Sequence, residues 1–409
     1  MTFEIQPSAP DNLDTVQDIH AAKGSQQSLR EANRARVVRA VQQHGSLTQV
    51  ELAGITGLSP SSVSNIVTEL ADAGVLDTTP SIRSGRRARM VTLARSIGVV
   101  AGIDVSARAL RIALSDTAMR VLAEEVLPLA PDHRADLSLQ RAASLLNELV
   151  ESVDAAGDEL LAVGVGVPAP VDVAAGTISS SSLLRGWDGA PVADLLTARV
   201  RVPVVVDNDA NLGALAEARY GAAVGADPVV FVRVSHTIGA GIVLSGRVLH
   251  GRRGTAGELG HVIVDEQGAV CRCGNRGCLE TVAGSAAMLH LLQASHGHLT
   301  LEDAVTRAID GDAGCRRAIA DTGRALGAAV ANMCNVLDPE IVVVGGEVAR
   351  ADHLLLDPLR DAVDRHTMRS PAGSPAVVAA EFGEQAGLRG ALAAALDRAR
   401  ELGALGVAS

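Results

Sequence analysis

Polar and apolar positions along the chain follow three different rhythms. Residues 1–27 are polar, contain Pro7 and Pro10, and show no period, which predicts a tail without fixed structure. From Ser28 the apolar positions fall at helical spacing. Leu29, Val37, Val38 and Val41 follow Ser28-x-x-Glu31, a capping-box pattern, and Gly45 closes the segment. Thr48-x-x-Glu51 opens a second, short helix that stops at Gly57. Ser59-Pro60 opens a third, because a serine cap followed by proline suits the first helical turn. In that helix Val63, Ile66, Val67 and Leu70 recur at i, i+3, i+4 and i+7, and Gly74 ends it. Its other face carries Ser61, Ser62, Ser64, Asn65 and Thr68. Two strand-like runs follow, GVLDTT and ARMVTLA, around a tip at 81–87 that holds Arg83, Arg86 and Arg87.

After Ser96 the pattern becomes that of an α/β protein. GVVAGIDVS, ALRIALSD and VLAEEVLPL predict a three-stranded meander, followed by a helix from about Leu137 to Ala155. LLAVGVGVPAPVD predicts a buried strand that runs into a Gly/Pro loop, and VPVVVDNDANLGALAEARYG a strand that breaks into a helix. From Pro228 the same order restarts: VVFVRVS, TIGAGIVLSG and RVLHG, then a cysteine-rich segment, helices, and EIVVVGGEV. Two similar halves predict a duplicated fold with a cleft between lobes. The expected division is a tail over 1–27, a small helical domain over 28–95, a first lobe over 96–227 and a second over 228–385. A helix near 386–402 is expected to return to the first lobe.

A short helix, a glycine turn and a helix with a small polar outer face predict a helix-turn-helix, and the strand pair predicts a wing. Ser59, Ser61, Ser62, Ser64 and Asn65 are the candidate groove contacts; Arg83, Arg86 and Arg87 suit phosphates or a narrow minor groove. Net charge is −11, which by itself argues against nucleic acid. Its distribution argues otherwise. Residues 28–93 hold eight arginines against five acids, 8 − 5 = +3, so the rest carries −14. The plainer alternative is a helical protein-interaction domain with a solvated arginine loop. The chain has no apolar run near the ~20 residues a bilayer span needs and its start lacks a signal pattern, so the cytoplasm is expected.

The segment 257–280, GELGHVIVDEQGAVCRCGNRGCLE, carries the candidate chemistry. Cys271, Cys273 and Cys278 crowd into eight positions, with His261 ten residues upstream. In a reducing compartment three thiolates and an imidazole predict a structural Zn2+ site, with Gly268, Gly274 and Gly277 letting the backbone bend around it. Glu258 and Glu280 flank the cluster. Cys315 and Cys334 are read as buried free thiols.

These motifs resemble the ROK family of repressors, open reading frames and sugar kinases. The resemblance rests on DNDAN at 207–211, GAGI at 239–242, GELGH at 257–261, CRCGNRGCLE at 271–280 and VVGGEV at 343–348, and covers about 97–400. It implies a duplicated actin-like, ribonuclease-H-type body, here with an N-terminal winged helix-turn-helix as in the family's repressor branch. It further implies that Asp209 stands where the sugar kinases place their general base. Asn208, Glu258, His261 and Glu280 stand at sugar-contacting positions, and His261 doubles as the nitrogen ligand to zinc. Two departures matter. The family's first phosphate loop, aspartate-x-glycine-glycine-threonine, is here Asp104-Val105-Ser106-Ala107-Arg108. The second, glycine-threonine-glycine, is Ser235-His236-Thr237. Backbone N–H groups close poorly on phosphate where side chains fill the space. Leu183 replaces an asparagine of the sugar side.

The expected function is therefore a sugar-responsive transcriptional regulator, a repressor of carbohydrate genes without catalytic residues, Asp209 being a vestigial base. The expected partners are palindromic operator DNA, a sugar or sugar phosphate, and a second copy in a homodimer or homotetramer. An ATP-dependent sugar kinase with an added DNA-binding domain is the rival. A DNA-binding protein regulated by a docked partner rather than a sugar is a third reading.

Overall fold

The computed structural model describes residues 26–44, 47–83, 86–94, 98–130, 133–153, 155, 159–179, 184, 186–370 and 373–404. The N-terminal unit contains α1 (Gln26–His44), β1 (Leu47–Thr48), α2 (Gln49–Thr56), α3 (Pro60–Asp72), β2 (Leu76–Arg83) and β3 (Arg86–Leu93). Helix α1 starts at Gln26, so Ser28 lies inside its first turn and does not cap it. The two glutamines are good helix formers and extend the helix past the cap signal. The other two caps are as expected. Thr48 and Glu51 exchange hydrogen bonds in a full capping box, and Ser59 accepts from the Ser62 amide. Val63, Ile66, Val67 and Leu70 are buried against Val37, Val38, Val41 and Leu52.

The wing strands are longer than their composition predicts. They pair from Leu76↔Leu93 down to Arg83↔Arg86, and they accommodate Pro80. Proline is tolerated there because β2 is an edge strand of the order β1-β3-β2 and needs fewer ladder donors. Strand β1, two residues long, carries no period to read and was not anticipated.

The body repeats one topology twice. In the first half β4 (Val99–Val105), β5 (Ala109–Asp116) and β6 (Val121–Pro128) form an antiparallel meander, followed by α4 (Ala135–Ser152). Strand β7 (Leu160–Val167) adds in parallel to β4. A small hairpin, β8 (Val171–Asp172) and β9 (Thr177–Ile178), and α5 (Val192–Val200) lead to β10 (Val204–Asn208), parallel to β7. Helix α6 (Asp209–Tyr220) then crosses to the second half. There β11 (Val229–Val234), β12 (Ile238–Leu244) and β13 (Arg247–Val248) form the second meander. Helices α7 (Leu279–Ala283), α8 (Ser285–His296), α9 (Leu301–Ile309) and α10 (Ala313–Leu337) follow. Strand β14 (Ile341–Gly345) lies parallel to β11, α11 (His353–His366) packs on α10, and β15 (Ala376–Ala379) lies parallel to β14. Helix α12 (Ala386–Glu401) ends the fold. The sheet orders β10-β7-β4-β5-β6 and β13-β12-β11-β14-β15 are the same arrangement: meander, then two parallel strands beside its first strand.

The two halves are joined by exchanged helices. Helix α6, which follows the first sheet, packs on β11 and β12; α12, which follows the second, packs on β4 and β7; and the two helices pack on each other. Glycines permit the backbones to approach. A methyl at Gly164 would stand 2.0 Å from the Ala391 carbonyl oxygen, and one at Gly390 1.9 Å from that of Leu212. Leu388, Leu392, Ala395 and Leu396 of α12 are buried against Val100, Ala113 and Ala162.

Gly390→Val should therefore destabilise the body by at least the ~1–3 kcal/mol typical of overpacking. Gly54→Ala, in α2 with nothing within 4 Å, should be neutral or stabilising by up to about 1 kcal/mol. Urea unfolding of the two variants checks the contrast.

Candidate sugar pocket, metal cluster and DNA-facing surface

The break between β10 and α6 positions the first two site residues. Asn208 is extended and caps α6, with Oδ1 accepting from the amides of Ala210 and Asn211, while Nδ2 donates to the Ala169 carbonyl at 3.2 Å. Its amide is thus largely used in holding the loop, although it still lines the cavity. Asp209 opens the helix and is buried, and Arg233 Nη1 from β11 lies 3.1 Å from its Oδ2.

These residues form one wall of a cavity of about 400 Å3. The opposite wall comes from the segment after β13. Gly257, with φ +88°, passes so close to β12 that a methyl would stand 2.1 Å from the Ala240 carbonyl oxygen. Glu258 and a 3-10 turn over Leu259–His261 follow. Glu280, in the first turn of α7, reaches back under the cavity, where its Oε2 accepts from the Ile238 amide at 2.8 Å. Asn208, Asp209, Glu258, His261 and Glu280 all line this one space. Leu183 and Arg185 lie outside the described residues; Trp187 beside them is fully buried and donates to the His133 carbonyl at 3.1 Å.

The electrostatics favour a ligand rich in donors. Burial pushes Glu258 up to about 7, with a further contribution from the charge of Asp209. Burial also raises Glu280, against the opposing Ile238 hydrogen bond and Arg272. Glu280 Oε1 is buried without a hydrogen-bond donor, with Arg272 3.8 Å away, while Asp209 Oδ2 has only the ion pair to Arg233. Buried acceptors of this kind are costly unless a partner arrives.

His261 connects this cavity to the cysteines. Its Nδ1 lies 3.6 Å from Cys271 Sγ, and its Nε2 lies 3.8 Å from Glu258 Oε2. Cys273 Sγ and Cys278 Sγ are 3.7 Å apart, and the four ligand atoms all fall within 4.8 Å of one another. Bonds of ~2.0–2.3 Å to a tetrahedral ion would require edges of roughly 3.3–3.8 Å, so the donor set fits a metal ion with small adjustments. Burial and Arg272 lower the His261 pKa, which favours the neutral imidazole that a metal needs. Gly274 and Gly277 hold left-handed backbone, φ +92° and +69°. Gly268 does not; it is needed for room, since a methyl there would stand 3.0 Å from both the Asp265 carbonyl and Gly277 Cα. Cys315 and Cys334 are buried and free.

On α3, Ser61 and Asn65 are exposed and Ser62 and Ser64 half-exposed. Ser59 and Ser62 share a hydroxyl contact of 2.8 Å, so the cap also orients the residues above it. Beside them α1 contributes Arg30 and Arg34, which pair with Glu69 of α3 at 3.1 and 3.3 Å. The backbone places Arg83 and Arg86 opposite each other at the far end of the wing, with Arg87 next. The side chains of these three arginines, and residues 84–85, lie outside the described residues.

Two residues at or beside the cavity escaped sequence reasoning. Arg272, between two of the cysteines, lines the pocket 3.8 Å from Glu280. Arg233 lies in VVFVRVS, where a lone charge in a buried strand was the available signal. Asp104, Ser106, Ala107 and Arg108, with Ser235 and His236, line a neighbouring cavity, to which Arg111 of β5 also contributes. Among the described residues no helix is long and apolar enough to cross a membrane.

Known proteins share this sequence pattern and fold. The ROK family profile matches residues 100–398, and the MarR family profile matches 31–87. The chain is 32% identical over 377 residues to the DNA-binding transcriptional dual regulator NagC of Escherichia coli, covering 88% of this chain and 91% of that protein. A crystal structure of a ROK family transcriptional regulator, homolog of the E. coli MLC protein, superimposes with a TM-score of 0.73 at 28% identity, over 92% of this chain and 98% of that one. A ROK family glucokinase from Streptomyces griseus, in complex with glucose and AMPPNP, gives 0.66 at 28% identity over 73% of this chain and all, 100%, of that one. The chain belongs to the ROK family, with a MarR-type winged helix-turn-helix preceding the ROK body.

Proposed function

We propose that the protein is a sugar-responsive transcriptional regulator that represses carbohydrate uptake or catabolism genes. One observation carries the sugar part: Glu280 Oε1 is buried without a hydrogen-bond donor, and Asp209 Oδ2 is met only by the Arg233 ion pair, in a cavity that Glu258 and His261 complete. The hydroxyls of a sugar or sugar phosphate supply such donors, and a site built this way discriminates against an analogue lacking one. Asn208 holds the loop and offers its remaining N–H. The DNA part is supported by the matched winged helix, the exposed Ser61 and Asn65, and the repressors among the relatives.

The metal cluster takes a structural Zn2+ through His261, Cys271, Cys273 and Cys278. When bound, the ion fixes the loop 257–280. With Nδ1 turned to the sulfurs, His261 presents Nε2–H to the pocket, where Glu258 lies beside it. Metal and effector thereby share a residue, and the second role of His261 is positioned by the first.

In this reading the body forms a homodimer or homotetramer in the cytoplasm, and two winged helices meet a palindromic operator at fixed half-site spacing. Ser59, Ser61, Ser62, Ser64 and Asn65 address the groove; Arg83, Arg86 and Arg87 address the backbone or minor groove. Sugar entering between the lobes releases DNA if it binds the non-DNA arrangement more tightly. The domain limits proposed from sequence, 28–95, 96–227 and 228–385 with 386–402 returning, place both ligand walls at the lobe junction. The glucokinase likeness supports a second reading, a sugar kinase. Against it stand Arg108 at the first phosphate loop and Arg233 on Asp209, because a general base must present its carboxylate freely to the hydroxyl it deprotonates.

Two outcomes are expected. Duplex DNA selected by the protein from a random library should be released on adding one member of a panel of glucose, xylose, N-acetylglucosamine and their phosphates. The same compound should raise the melting temperature by mass action, and Glu280→Gln should weaken that shift at least tenfold in concentration. Indifference of both DNA binding and melting to the whole panel would remove the sugar from the account. Separately, Cys273→Ser should lower zinc content by elemental analysis and abolish the sugar-induced shift; a full shift in metal-free protein would disprove the coupling.

A further inference from the structure

Arg233 does not line the sugar cavity, yet it is buried against one of that cavity's acids, Asp209. It projects from β11 into the floor of the cleft and is only 15% exposed, with Nη1 3.1 Å from Asp209 Oδ2. Asp104, near the end of β4, lines the same neighbouring cavity as Arg233. A methyl placed on Gly387 of α12 would stand 3.2 Å from Asp104 Oδ1 and 3.6 Å from Asp209 Cβ, so one small volume separates the two acids. Asp104 is 4% exposed, and both Asp104 Oδ1 and Asp209 Oδ2 lack an aligned hydrogen-bond donor. Two buried carboxylates thus share one guanidinium: Asp209 Oδ2 holds it in an ion pair, and Asp104, within its electrostatic reach, keeps Oδ1 without a hydrogen bond.

Without that guanidinium the pair would be unstable as two anions. Like charges at such range raise each other's proton affinity, and either a shared proton or a divalent cation with oxygen ligands relieves them. Magnesium is commonly held by one or two carboxylates together with substrate phosphates. Burial opposes the charge on Arg233, and the surrounding anions together outweigh it, Asp209 first, then Asp104, Glu347 and Glu384, as a counter-ion role requires. Burial still pushes Asp104 up to about 6, against the pull of Arg233 and Arg111 and with a further push from Asp209.

We infer that Arg233 is a built-in cation that occupies, between Asp104 and Asp209, the position where the bare acid pair would otherwise gather a divalent ion. The idea rests on reading the cleft as a binding site, but it concerns metal exclusion and not sugar or DNA. A fixed guanidinium cannot arrive with a nucleotide or leave with a product. A metal–nucleotide pair entering the neighbouring cavity, which Arg233 also lines, would have to displace it.

The test uses the full-length, zinc-loaded protein and Mn2+ alone, with free Mn2+ measured by electron paramagnetic resonance at neutral pH. Arg233→Gln should bind one Mn2+ per chain at least tenfold more tightly than the wild type. Adding Asp104→Asn should remove the gain, and Arg233→Lys, which keeps the charge, should not acquire it. No gain in Arg233→Gln, or a gain that survives Asp104→Asn, would overturn the inference. Should Arg233→Gln fail to fold, the double variant, relieved of one anion, should recover native zinc content and circular dichroism; no recovery would equally overturn it. Neither result bears on whether sugar releases DNA.

Discussion

The cleft depends on one buried ion pair, Arg233 with Asp209. It joins β11 of the second half to the first residue of α6, the helix that connects the halves. Breaking a buried pair by removing one partner commonly costs about 3–5 kcal/mol, because the remaining charge is uncompensated. The pair therefore fixes the floor of the cleft as well as its charge. It holds Asp209 Oδ2 while that residue lines the pocket, and it places a cation where a phosphate-transfer site would need an exchangeable one.

Around that floor, the exchanged helices α6 and α12 make the two lobes interdependent. Each helix packs on the sheet of the half that did not produce it. The close approaches at Gly164 and Gly390 leave no slack for sliding, so a change in lobe angle must be carried as a rigid-body movement of helix and sheet together. The loop 257–280 is the other mobile-looking element by composition, yet its cysteines and His261 converge on one small volume. A metal ion there would turn the ligand wall from a flexible loop into a fixed surface, and the energy of metal binding would appear as stability of that wall.

Much of this was legible in the sequence because it is written in local signals. Capping boxes and glycine stops outlined α2 and α3, and the restart of the strand pattern at Pro228 announced the duplication. The GELGH and CRCGNRGCLE segments marked both the cysteine cluster and the acids beside it. What was missed is non-local or lacks a period. Strand β1 is two residues long, and the wing's length is set by pairing with β3. Helix α1 ran past its apparent cap because the preceding glutamines favour helix. Arg233 and Arg272 gain their significance only from what stands opposite them, Asp209 and Glu280, which lie 24 residues before and 8 residues after them in the chain.

The central claim is that the cleft binds a sugar and does not phosphorylate it. Phosphorus NMR of the zinc-loaded protein with magnesium ATP and whichever panel sugar raises its melting temperature tests this most directly. The account predicts unchanged ATP resonances over hours, with the sugar bound and no sugar phosphate formed. A growing sugar-phosphate resonance that disappears in Asp209→Asn would contradict it and make the protein a kinase.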